Sequence, residues 1–459
     1  MRANHHDITV IGAGVSSIFF AYTLMNKNQD VNIHIIDIGK ELEKRTCGLE
    51  DGGKCTCGAS CSKYTGFSGL GKSEGKFNYT TDFGGRLHKK IGEDHTLRLM
   101  QEVDTILCRF GGNARSKYST KNEALSSKAS LHGLDVLSTE VRHLGTHLSK
   151  GIFQSMYEVM RERITFSFET KVEAVTKNKE GFHLHTNKGD FTTGRIVIGT
   201  GMSGSDWLTG MMGSFGVHPG NTRLDMGFRV EMKGDQLQAI LQETFETKLR
   251  IHRRNFEATT YCMNPRGRII RKYQHGLVMP DGQNALEEDS PSANLNFTLF
   301  VPRYYPSYEE AMNDAKKVIG GINGGRDRIV VQKWEDFKRG APTETLSHNQ
   351  VKPSLQADCG DARREVPSVY GAALIEFLHA LEGLVGEEID SDTLIYGLDA
   401  KFYEPSLYTD ESFESEVPGI YLIGDCSGVT HSLSQAAASG IYLGETLASA
   451  TLYHNLGKE

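Results

Sequence analysis

The chain has 459 residues, of which 38% are hydrophobic and 24% are charged, and its formal net charge is −7. This length predicts roughly two or three domains, and the composition is that of an ordinary globular protein. An acidic balance with no basic cluster gives no basis for a nucleic-acid partner.

The chain ends and the cysteine count predict a compartment. The first strand begins by Asp7, which leaves no room for a signal peptide. Apolar runs such as 419–424 are too short to cross a bilayer, so no membrane partner is expected. Eight cysteines without an export signal are expected to be reduced thiols. The predicted location is the cytoplasm.

The first motif is a strand, a glycine turn and a helix. A β-branched run ends at Ile11 and leads into Gly12-Ala13-Gly14-Val15-Ser16-Ser17, after which apolar residues recur at helical spacing. Gly12 permits the turn, and Gly14 lets a pyrophosphate approach the N-terminus of the helix. A second strand ends at Asp37, about 20 residues beyond Gly14, where an acid can bind ribose hydroxyls. Together these features predict dinucleotide binding, with the small Ser17 in place of the third glycine.

A run of four cysteines follows the second strand: Cys47, Cys55, Cys57 and Cys61. The spacing C-x7-C-x-C-x3-C differs from the usual structural zinc pairs and from both ferredoxin arrangements. Three interpretations stay open, which are a zinc or iron–sulfur site with these four ligands, a redox-active thiol pair, and plain thiols in a loop.

Two later strands indicate where the dinucleotide domain closes. The segment 189–198 is a strand that ends on Gly199-Thr200-Gly201. This stretch contains GxGxxG, but no clear strand with an acid follows it, so the prediction is a closing strand and not a second NAD-binding unit. Near the C-terminus, 419–425 is a buried-type strand that ends in Gly424-Asp425, and a helix rich in small residues follows from about Ser434 to Ala448.

With these pieces the sequence resembles the FAD-dependent oxidoreductases of the glutathione-reductase-like class, and most closely a bacterial branch described as FAD-dependent dehydrogenases. The resemblance covers nearly the whole chain. The matching pieces are GFSGLGKSEGKFNYTTDFGG, TYCMNPRGRII, ANLNFTLFV, DAKFYEP and GIYLIGDCSGVTHSLSQAAASG. Two positions depart from the pattern, since an Asp-Gly pair reads Glu74-Gly75 and an Arg-Gly pair reads His431-Ser432.

The resemblance implies bound FAD, with Asp425 on the flavin ribityl chain and the N-terminus of the next helix directed at the isoalloxazine pyrimidine. Relatives in this branch also tend to carry cysteines just before the glycine-rich segment, which in similar flavoproteins passes along the pyrophosphate and the flavin. The predicted cofactor contacts are Gly12, Gly14, Ser16, Ser17, Asp37, Ser73, Gly75, Lys76, Val172, Thr200, Gly201, Gly424, Asp425, Leu433 and Ser434.

The candidates for chemistry beside the flavin are His431, Lys401 and Tyr403. His431 can act as an acid or base near neutral pH, or simply cap the next helix. Lys401 and Tyr403 can reach an anionic or carbonyl substrate, or serve only in packing. Tyr261, next to Cys262 and Met263, is predicted to be a core residue. No GxSxG or HExxH pattern supports a hydrolase.

The predicted fold is α/β, with a three-layer, Rossmann-type FAD-binding domain built on a parallel sheet and an inserted α+β substrate domain. The boundaries are 1–215 and 395–459 for the FAD domain and 216–394 for the inserted domain, which has an antiparallel sheet and helices.

The leading functional hypothesis is an FAD-dependent dehydrogenase or reductase that exchanges hydride with a small organic substrate. One alternative is a flavin monooxygenase that uses NAD(P)H and O2. Another is an FAD-holding redox sensor or scaffold with a thiol- or metal-bearing loop. An electron-donor or electron-acceptor protein is a candidate partner.

Overall fold

The computed structural model describes residues 5–46, 62, 64–73, 75–244, 247–283, 292–403 and 406–456. Its strands are β1 (His5–Ile11), β2 (Ile33–Ile36), β3 (Lys76–Tyr79), β4 (Tyr118–Ser119), β5 (Leu134–Leu137), β6 (Glu140–His143), β7 (Thr165–Ser167), β8 (Val172–Asn178), β9 (Gly181–Thr186), β10 (Gly189–Ile198), β11 (Thr222–Lys233), β12 (Lys248–His252), β13 (Glu257–Pro265), β14 (Arg268–Gln274), β15 (Leu277–Gln283), β16 (Asn294–Tyr305), β17 (Val330–Lys333), β18 (Asp358–Cys359), β19 (Leu394–Phe402) and β20 (Ile420–Leu422).

The described α-helices are α1 (Val15–Lys27), α2 (Leu87–Ile91), α3 (Glu93–Arg109), α4 (Glu123–Leu131), α5 (Thr146–Met160), α6 (Ser205–Gly213), α7 (Gln238–Leu241), α8 (Tyr308–Asn323), α9 (Trp334–Arg339), α10 (Ser368–Val385) and α11 (Leu433–Leu456).

The chain divides into two compact units. Unit 1 comprises 1–119, 139–220 and 404–459, and unit 2 comprises 120–138 and 221–403. This division differs from the predicted boundaries in three places, and the smallest difference is that residues 216–220 belong to unit 1. The segment 120–138 belongs to unit 2 because β5 pairs with β12. Strand β19 also belongs to unit 2, because it pairs with β11, so the return to unit 1 comes after the predicted residue 395.

Unit 1 is built on a seven-stranded sheet within the described residues. Strands β7, β2, β1, β10 and β20 are parallel, and β9 and β8 continue from β10 in antiparallel pairing. All four residues of β2 are buried, as expected for a parallel strand covered on both faces. One core cluster joins this sheet to α1, α3, α5 and α11, and another joins it to α6 on the other side. The predicted α/β class with a Rossmann-type parallel sheet is confirmed.

Helices α1 and α11 pack closely because small residues face each other. A side chain at Gly444 would meet the Phe20 carbonyl oxygen at 3.0 Å, and one at Gly440 would collide with the Ser16 carbonyl. The small-residue pattern of the last helix therefore fixes its position beside the helix that follows the first glycine turn.

Unit 2 holds an eight-stranded sheet in the described part of the chain, in the order β18-β17-β19-β11-β16-β13-β12-β5. Along β11 the apolar residues Leu224, Met226 and Phe228 alternate with polar ones, and they enter a core shared with α8 and α10. This mixed, largely antiparallel sheet with helices matches the predicted α+β character of the inserted domain.

Two local glycine patterns can be compared with the structure. The GxGxxG after β10 leads into α6 and then into β11 of the other sheet, so it does not open a second dinucleotide unit. The glycine cluster 320–325 contains the end of a helix, since α8 continues through Gly320 and ends before Gly324, which has φ +58°. Gly324 supplies the left-handed residue that helix ends favour.

Within the described residues one helix, α10, has the length and composition to cross a membrane, with a mean hydropathy of 1.3 over 18 residues. Glu376 and His379 interrupt its apolar sequence. Half of the helix is buried inside the protein, and its apolar residues belong to the unit 2 core. Core helices of this kind pass the same test of length and composition.

Candidate functional site

The turns that follow the parallel strands of unit 1 meet at one edge of the sheet. Parallel strands place their carboxyl ends together, and in open α/β sheets ligands bind at that edge. Backbone hydrogen bonds join the turns there, from Gly12 N to Ile36 O at 2.8 Å, from Gly199 N to Ile11 O at 2.9 Å and from Ile423 N to Ile198 O at 2.9 Å. The motifs predicted from distant parts of the sequence are therefore neighbours.

The first turn requires glycine. Gly12 has φ +95°, and a Cβ at this position would lie 2.7 Å from the carbonyl oxygen of Gly199. Gly424 has φ +68°, and a side chain there would collide with the Ser16 hydroxyl. Gly12 lets backbone approach backbone, and Gly424 leaves room for the Ser16 side chain. The N-terminus of α1 has Gly14 at its cap position and no side-chain cap. Such a helix start is suited to a phosphate group.

Asp37 connects three segments at this edge. Its carboxylate accepts backbone hydrogen bonds from Ala13 at 2.7 Å, from Gly39 at 2.6 Å and from Gly66 at 2.9 Å. Burial raises the pKa of the Asp37 carboxyl, while these three donors and the Arg45 guanidinium oppose that shift. The predicted contact with a ribose stays a prediction, and the structure adds a role in holding the loops together.

The glycine-rich segment 64–73 runs beside the first turn. Ser68 donates its backbone N–H to the Ala13 carbonyl at 2.8 Å, and a Cβ at Gly71 would lie 2.7 Å from Val15 Cγ2. The Arg45 guanidinium donates hydrogen bonds to the carbonyls of Phe67 and Ser62, and these bonds stabilise the position of the segment. Close to its end are the predicted contacts Ser73, Gly75 and Lys76, where Gly75 has φ +63° and Lys76 opens β3.

Several predicted contacts carry buried hydroxyls that have no hydrogen-bond partner within the described part of the chain. They are Ser17 Oγ, Thr200 Oγ1 and Ser434 Oγ. Ser434 is fully buried in the first turn of α11, immediately after Leu433. Because buried polar atoms normally have a partner, these hydroxyls fit a polar ligand at the same edge.

The other predicted cofactor contacts differ from one another in burial and in hydrogen bonding. Asp425 is partly exposed and accepts a hydrogen bond from Thr430 Oγ1 at 2.9 Å. Gly201 has φ +58° in the turn after β10. Val172 is buried at the start of β8, where its carbonyl accepts the indole N–H of Trp207 at 2.8 Å. Val172 therefore has a structural role, whatever its distance from a cofactor.

His431 lies in unit 1, in the loop between Asp425 and α11. Its backbone N–H donates to the Gly84 carbonyl at 2.9 Å, and Gly85 forms a bridge with Thr430. The Gln435 amide also donates to the carbonyls of residues 80 and 83. The structure thus brings the partly buried His431 beside the segment 80–85. Gly84 and Gly85 in this segment end the stretch GFSGLGKSEGKFNYTTDFGG.

Lys401 and Tyr403 belong to unit 2, at the end of β19. The Lys401 ammonium lies 4.9 Å from the centre of the Tyr403 ring and 5.1 Å from that of Tyr261. The Tyr403 hydroxyl donates to Asp225 at 2.9 Å, and the Arg223 guanidinium binds both oxygens of the same carboxylate. The two predicted residues are therefore part of a charged cluster that the sequence did not reveal.

Tyr261 was predicted to be a core residue, and this was wrong. It is partly buried on the polar face of the unit 2 sheet, whereas Met263 is in the core. The pairing of β13 with β16 shifts between Tyr261 and Asn264, and a bulge of this kind changes which face a side chain occupies. The sequence gives one usable signal, since Tyr261 directly follows the two polar residues Thr259 and Thr260.

The two tyrosines of this cluster have opposite electrostatic surroundings. Burial raises the pKa of Tyr261, but the Lys401 and Lys248 ammonium groups outweigh it and hold that pKa below its ordinary value. For Tyr403, burial and the Asp225 carboxylate raise the pKa well above its ordinary value. Neighbouring groups with pKa values driven apart are typical of acid–base sites.

The four cysteines predicted as metal ligands, Cys47, Cys55, Cys57 and Cys61, lie outside the described residues. Elsewhere, in the β9–β10 hairpin, the side chains of His183, His185 and Asp190 have ligand atoms within 4.8 Å of one another. Asp190 lies near the amino end of β10, about 25 Å of extended chain from the carboxyl edge. This partly exposed cluster is separate from the predicted cofactor edge.

No family model matches the chain, and no curated protein matches it. Solved structures similar to it include a quinol fumarate reductase of E. coli, with 12% identity, a TM-score of 0.41 and coverage of 98% of this chain and 71% of that one. A glycine oxidase from Geobacillus kaustophilus has 11% identity, a TM-score of 0.37 and coverage of 98% and 94%. The halogenase PltM in complex with FAD has 11% identity, a TM-score of 0.39 and coverage of 99% and 71%.

Because these identities and TM-scores are low, the class of the protein rests on its own strand order and contacts. The parallel order of β2, β1 and β10, the Gly12 turn and the buried acid at the end of β2 define a Rossmann-type α/β fold. The open start of α1 and the unpartnered hydroxyls form a setting that can bind a phosphate-bearing ligand.

Proposed function

We propose that the protein is an FAD-dependent oxidoreductase that exchanges hydride with a small organic substrate. The observation that carries this proposal is the meeting of the Gly12 turn, Asp37 and Gly424-Asp425 at one edge of the parallel sheet. The first two are suited to the adenosine and pyrophosphate half of the dinucleotide. The third, from the far end of the chain, is suited to the half that carries the flavin.

The residues that would hold FAD fall into two groups. The N-terminus of α1 and Asp37 would bind the pyrophosphate and the adenosine ribose, with the glycine-rich segment beside them. Asp425 would accept hydrogen bonds from the ribityl hydroxyls, and Ser434, at the start of α11, would donate its unpartnered hydroxyl. When bound, FAD supplies the two-electron chemistry, and the protein supplies orientation, charge and a site shielded from water.

His431, Lys401 and Tyr403 are proposed as the residues that act on the substrate. His431 can hold or release a proton because an imidazole titrates near neutral pH. Lys401 supplies a positive charge suited to an anionic or carbonyl group. Tyr403 already donates its hydroxyl to Asp225, so its proposed role is to position that end of the cluster.

The cysteine run carries a separate proposal, in which Cys47, Cys55, Cys57 and Cys61 bind zinc or an iron–sulfur cluster. The run joins β2 to the glycine-rich segment, which Asp37 and Arg45 hold against the first turn. A metal bound by these cysteines would also affect the cofactor edge, because Asp37 and Gly66, on either side of the run in sequence, are hydrogen-bonded to each other there. Electron delivery by NAD(P)H or by a partner protein is compatible with this arrangement.

The experiment that tests the proposed function is anaerobic reduction of the bound flavin by a panel of small metabolites, followed by absorbance at the flavin bands. Bleaching by one chemical class and slow reoxidation by oxygen would support a dehydrogenase. Rapid oxygen consumption that requires NAD(P)H would instead indicate a monooxygenase. A flavin that no compound reduces, in a protein that changes its thiol state, would favour the redox-sensor alternative.

A further inference from the structure

The polar face of the unit 2 sheet carries buried charges. On β11 the residues Asp225, Arg229 and Glu231 alternate with the apolar ones and are 0%, 1% and 0% exposed. Burying a charge is costly unless it is paired and hydrogen-bonded. Each of these groups should therefore have a partner, and the identity of the partners shows which part of the face is left with excess charge.

Towards the end of β11, the buried charges have hydrogen-bond partners within the unit. Glu231 accepts hydrogen bonds from Tyr396 at 2.7 Å and from Asn294 at 2.8 Å. Arg229 donates to Thr298 at 2.8 Å. On the neighbouring strand, Asp399 binds the Lys272 ammonium at 2.5 Å. This part of the face is a network of charged groups and hydrogen bonds, with an ion pair between Lys272 and Asp399.

The start of β11 is different. Lys401 lies directly opposite Asp225 in the pairing of β19 with β11. Both oxygens of Asp225 are bound by Arg223, at 2.6 and 2.7 Å, and one also accepts the Tyr403 hydroxyl. The carboxylate facing Lys401 is thus already neutralised. Within the described residues, the contacts of the Lys401 ammonium are with the rings of Tyr261 and Tyr403.

The Tyr261 ring lies close to lysine ammonium groups from two different strands. The Lys248 ammonium of β12 lies 4.6 Å from the centre of its ring, and that of Lys401 lies 5.1 Å from it. The ring of Phe300 on β16 packs edge-on against the Tyr261 ring, with a distance of 5.4 Å between the ring centres. A phenol held between cations by rigid strands is an oriented hydrogen-bond donor in a positive field. Carboxylates are bound best by this combination of charge and donor.

We propose that Lys401 and the Tyr261 hydroxyl bind a carboxylate group of the substrate, with Lys248 and the Arg223–Asp225 pair shaping the field. As a statement about the substrate, this inference rests on the proposed function, and it narrows the substrate class to organic acids. The Lys401 ammonium forms an ion pair with the carboxylate, and the Tyr261 hydroxyl donates a hydrogen bond to it.

This assignment fixes a link between anion binding and the ionisation of Tyr261. The groups that act on Tyr261 are Lys401, Lys248 and Arg223, which favour the tyrosinate, and Asp225, which opposes it. A bound carboxylate adds negative charge and needs the phenol protonated, so it raises the pKa of Tyr261. By reciprocity, affinity for the anion falls as the pH rises through that pKa.

The test uses the purified full-length protein with whatever cofactor it carries, labelled with an isotope at the phenol carbon of tyrosine. The tyrosine NMR signal that disappears in Tyr261→Phe is followed against pH in acetate and in chloride at equal ionic strength. We expect this signal to titrate at a lower pH than that of an exposed tyrosine. Acetate should move the midpoint of its titration to a higher pH. Tyr408, 66% exposed, provides the reference through Tyr408→Phe.

Affinity for acetate is measured in the same samples. Lys401→Gln should weaken it about ten- to a hundredfold, since a hydrogen bond to a charged group is removed. Lys338→Gln is the matched control, because Lys338 also stands over an aromatic ring, that of Trp334 at 5.4 Å, outside the cluster. This control should bind acetate like the wild type.

Two results would overturn the inference. One is a Tyr261 signal that titrates identically in acetate and chloride, and the other is equal loss of acetate affinity in Lys401→Gln and Lys338→Gln. Either would leave the cluster as internal packing. The measurement does not depend on flavin reduction, so a protein that lacks FAD but passes this test would contradict the proposed function alone.

Discussion

The Asp37 carboxylate accepts a hydrogen bond from the backbone N–H of Ala13 at 2.7 Å, so the end of β2 is tied to the first glycine turn. The same carboxylate accepts from Gly39 and from Gly66, which begins the glycine-rich segment. One acid therefore organises the predicted cofactor edge before any ligand is considered.

Replacing this acid tests its role as an acceptor. In Asp37→Asn one acceptor oxygen becomes a donor that faces backbone N–H groups, which leaves at least one buried donor unsatisfied. We expect a loss of about 1–3 kcal/mol in the free energy of unfolding, together with weaker retention of FAD. Urea unfolding measures the first and dialysis against buffer the second.

The matched control is Asp7→Asn. Asp7 also accepts a backbone hydrogen bond, from Asn32 at 2.9 Å, but at an exposed site. Its stability should change by no more than about 0.5 kcal/mol. Equal stability of the two variants would show that the Asp37 hydrogen bonds do not hold the turn together.

Asp425 is expected to bind the ribityl chain of the flavin. Asp425→Ala should weaken FAD binding about ten- to a hundredfold, because hydrogen bonds to a charged group are lost. Thr430→Val separates this effect from loop packing, since it removes the 2.9 Å hydrogen bond to Asp425 but keeps the carboxylate. If Thr430→Val loses as much FAD affinity as Asp425→Ala, the carboxylate acts through the loop and not through the cofactor.

His34 predicts an acid-sensitive step in stability. Burial, with a smaller contribution from His6, lowers the pKa of His34 from 6.5 to about 3. The unfolded chain takes up a proton below its own pKa of 6.5, whereas the folded protein resists until about 3, so stability is lost as the pH falls through this window. The slope should be at most about 1.4 kcal/mol per pH unit.

The variant His34→Phe keeps a ring beside His6 and Phe191 but cannot titrate, so its unfolding free energy should depend less on pH in that window. Ser167→Ala removes the 2.8 Å hydrogen bond to His34 and leaves the imidazole in place. It should keep the wild-type pH dependence. Parallel pH curves for the wild type and His34→Phe would rule out this histidine as the cause.

The cysteine run predicts a bound metal. Elemental analysis should find about one zinc, or iron with labile sulfide, per chain. Replacing Cys57 and Cys61 by serine should remove the metal and loosen FAD, because the run leads into the segment held by Asp37. The control is Cys108→Ser, at a free cysteine in α3 that is not part of the run. Metal-free wild-type protein would contradict the prediction.

The sequence predicts the first unit well because its signals are local. A β-branched strand, Gly12 and Asp37 lie close together in the chain, and each specifies a backbone conformation or a strand end. The helix α11 is recognisable by its small residues, whose reason is the packing against α1. The contacts of Asp37 with Gly39 and Gly66 are not visible in a pattern, because they depend on where the loop returns.

The second unit is harder to predict because its site is assembled from residues on four strands. Arg223, Lys248, Tyr261 and Lys401 are far apart in sequence, and the bulge in β13 reverses the face expected for Tyr261. The residues of β19 were assigned to the FAD domain for a similar reason, since only the pairing of this strand with β11 shows that it belongs to unit 2. Pairing between distant strands leaves no periodic signal.

The most direct test of the central claim is the cofactor content of the purified protein. Absorbance should show an oxidised flavin, and acid precipitation should release it as FAD, about one per chain, because the site offers hydrogen bonds and no covalent link is proposed. Protein purified without pigment should take up added FAD and prefer it to FMN, since Asp37 and the start of α1 would bind the adenosine half. A colourless protein that does not bind added FAD would contradict the account.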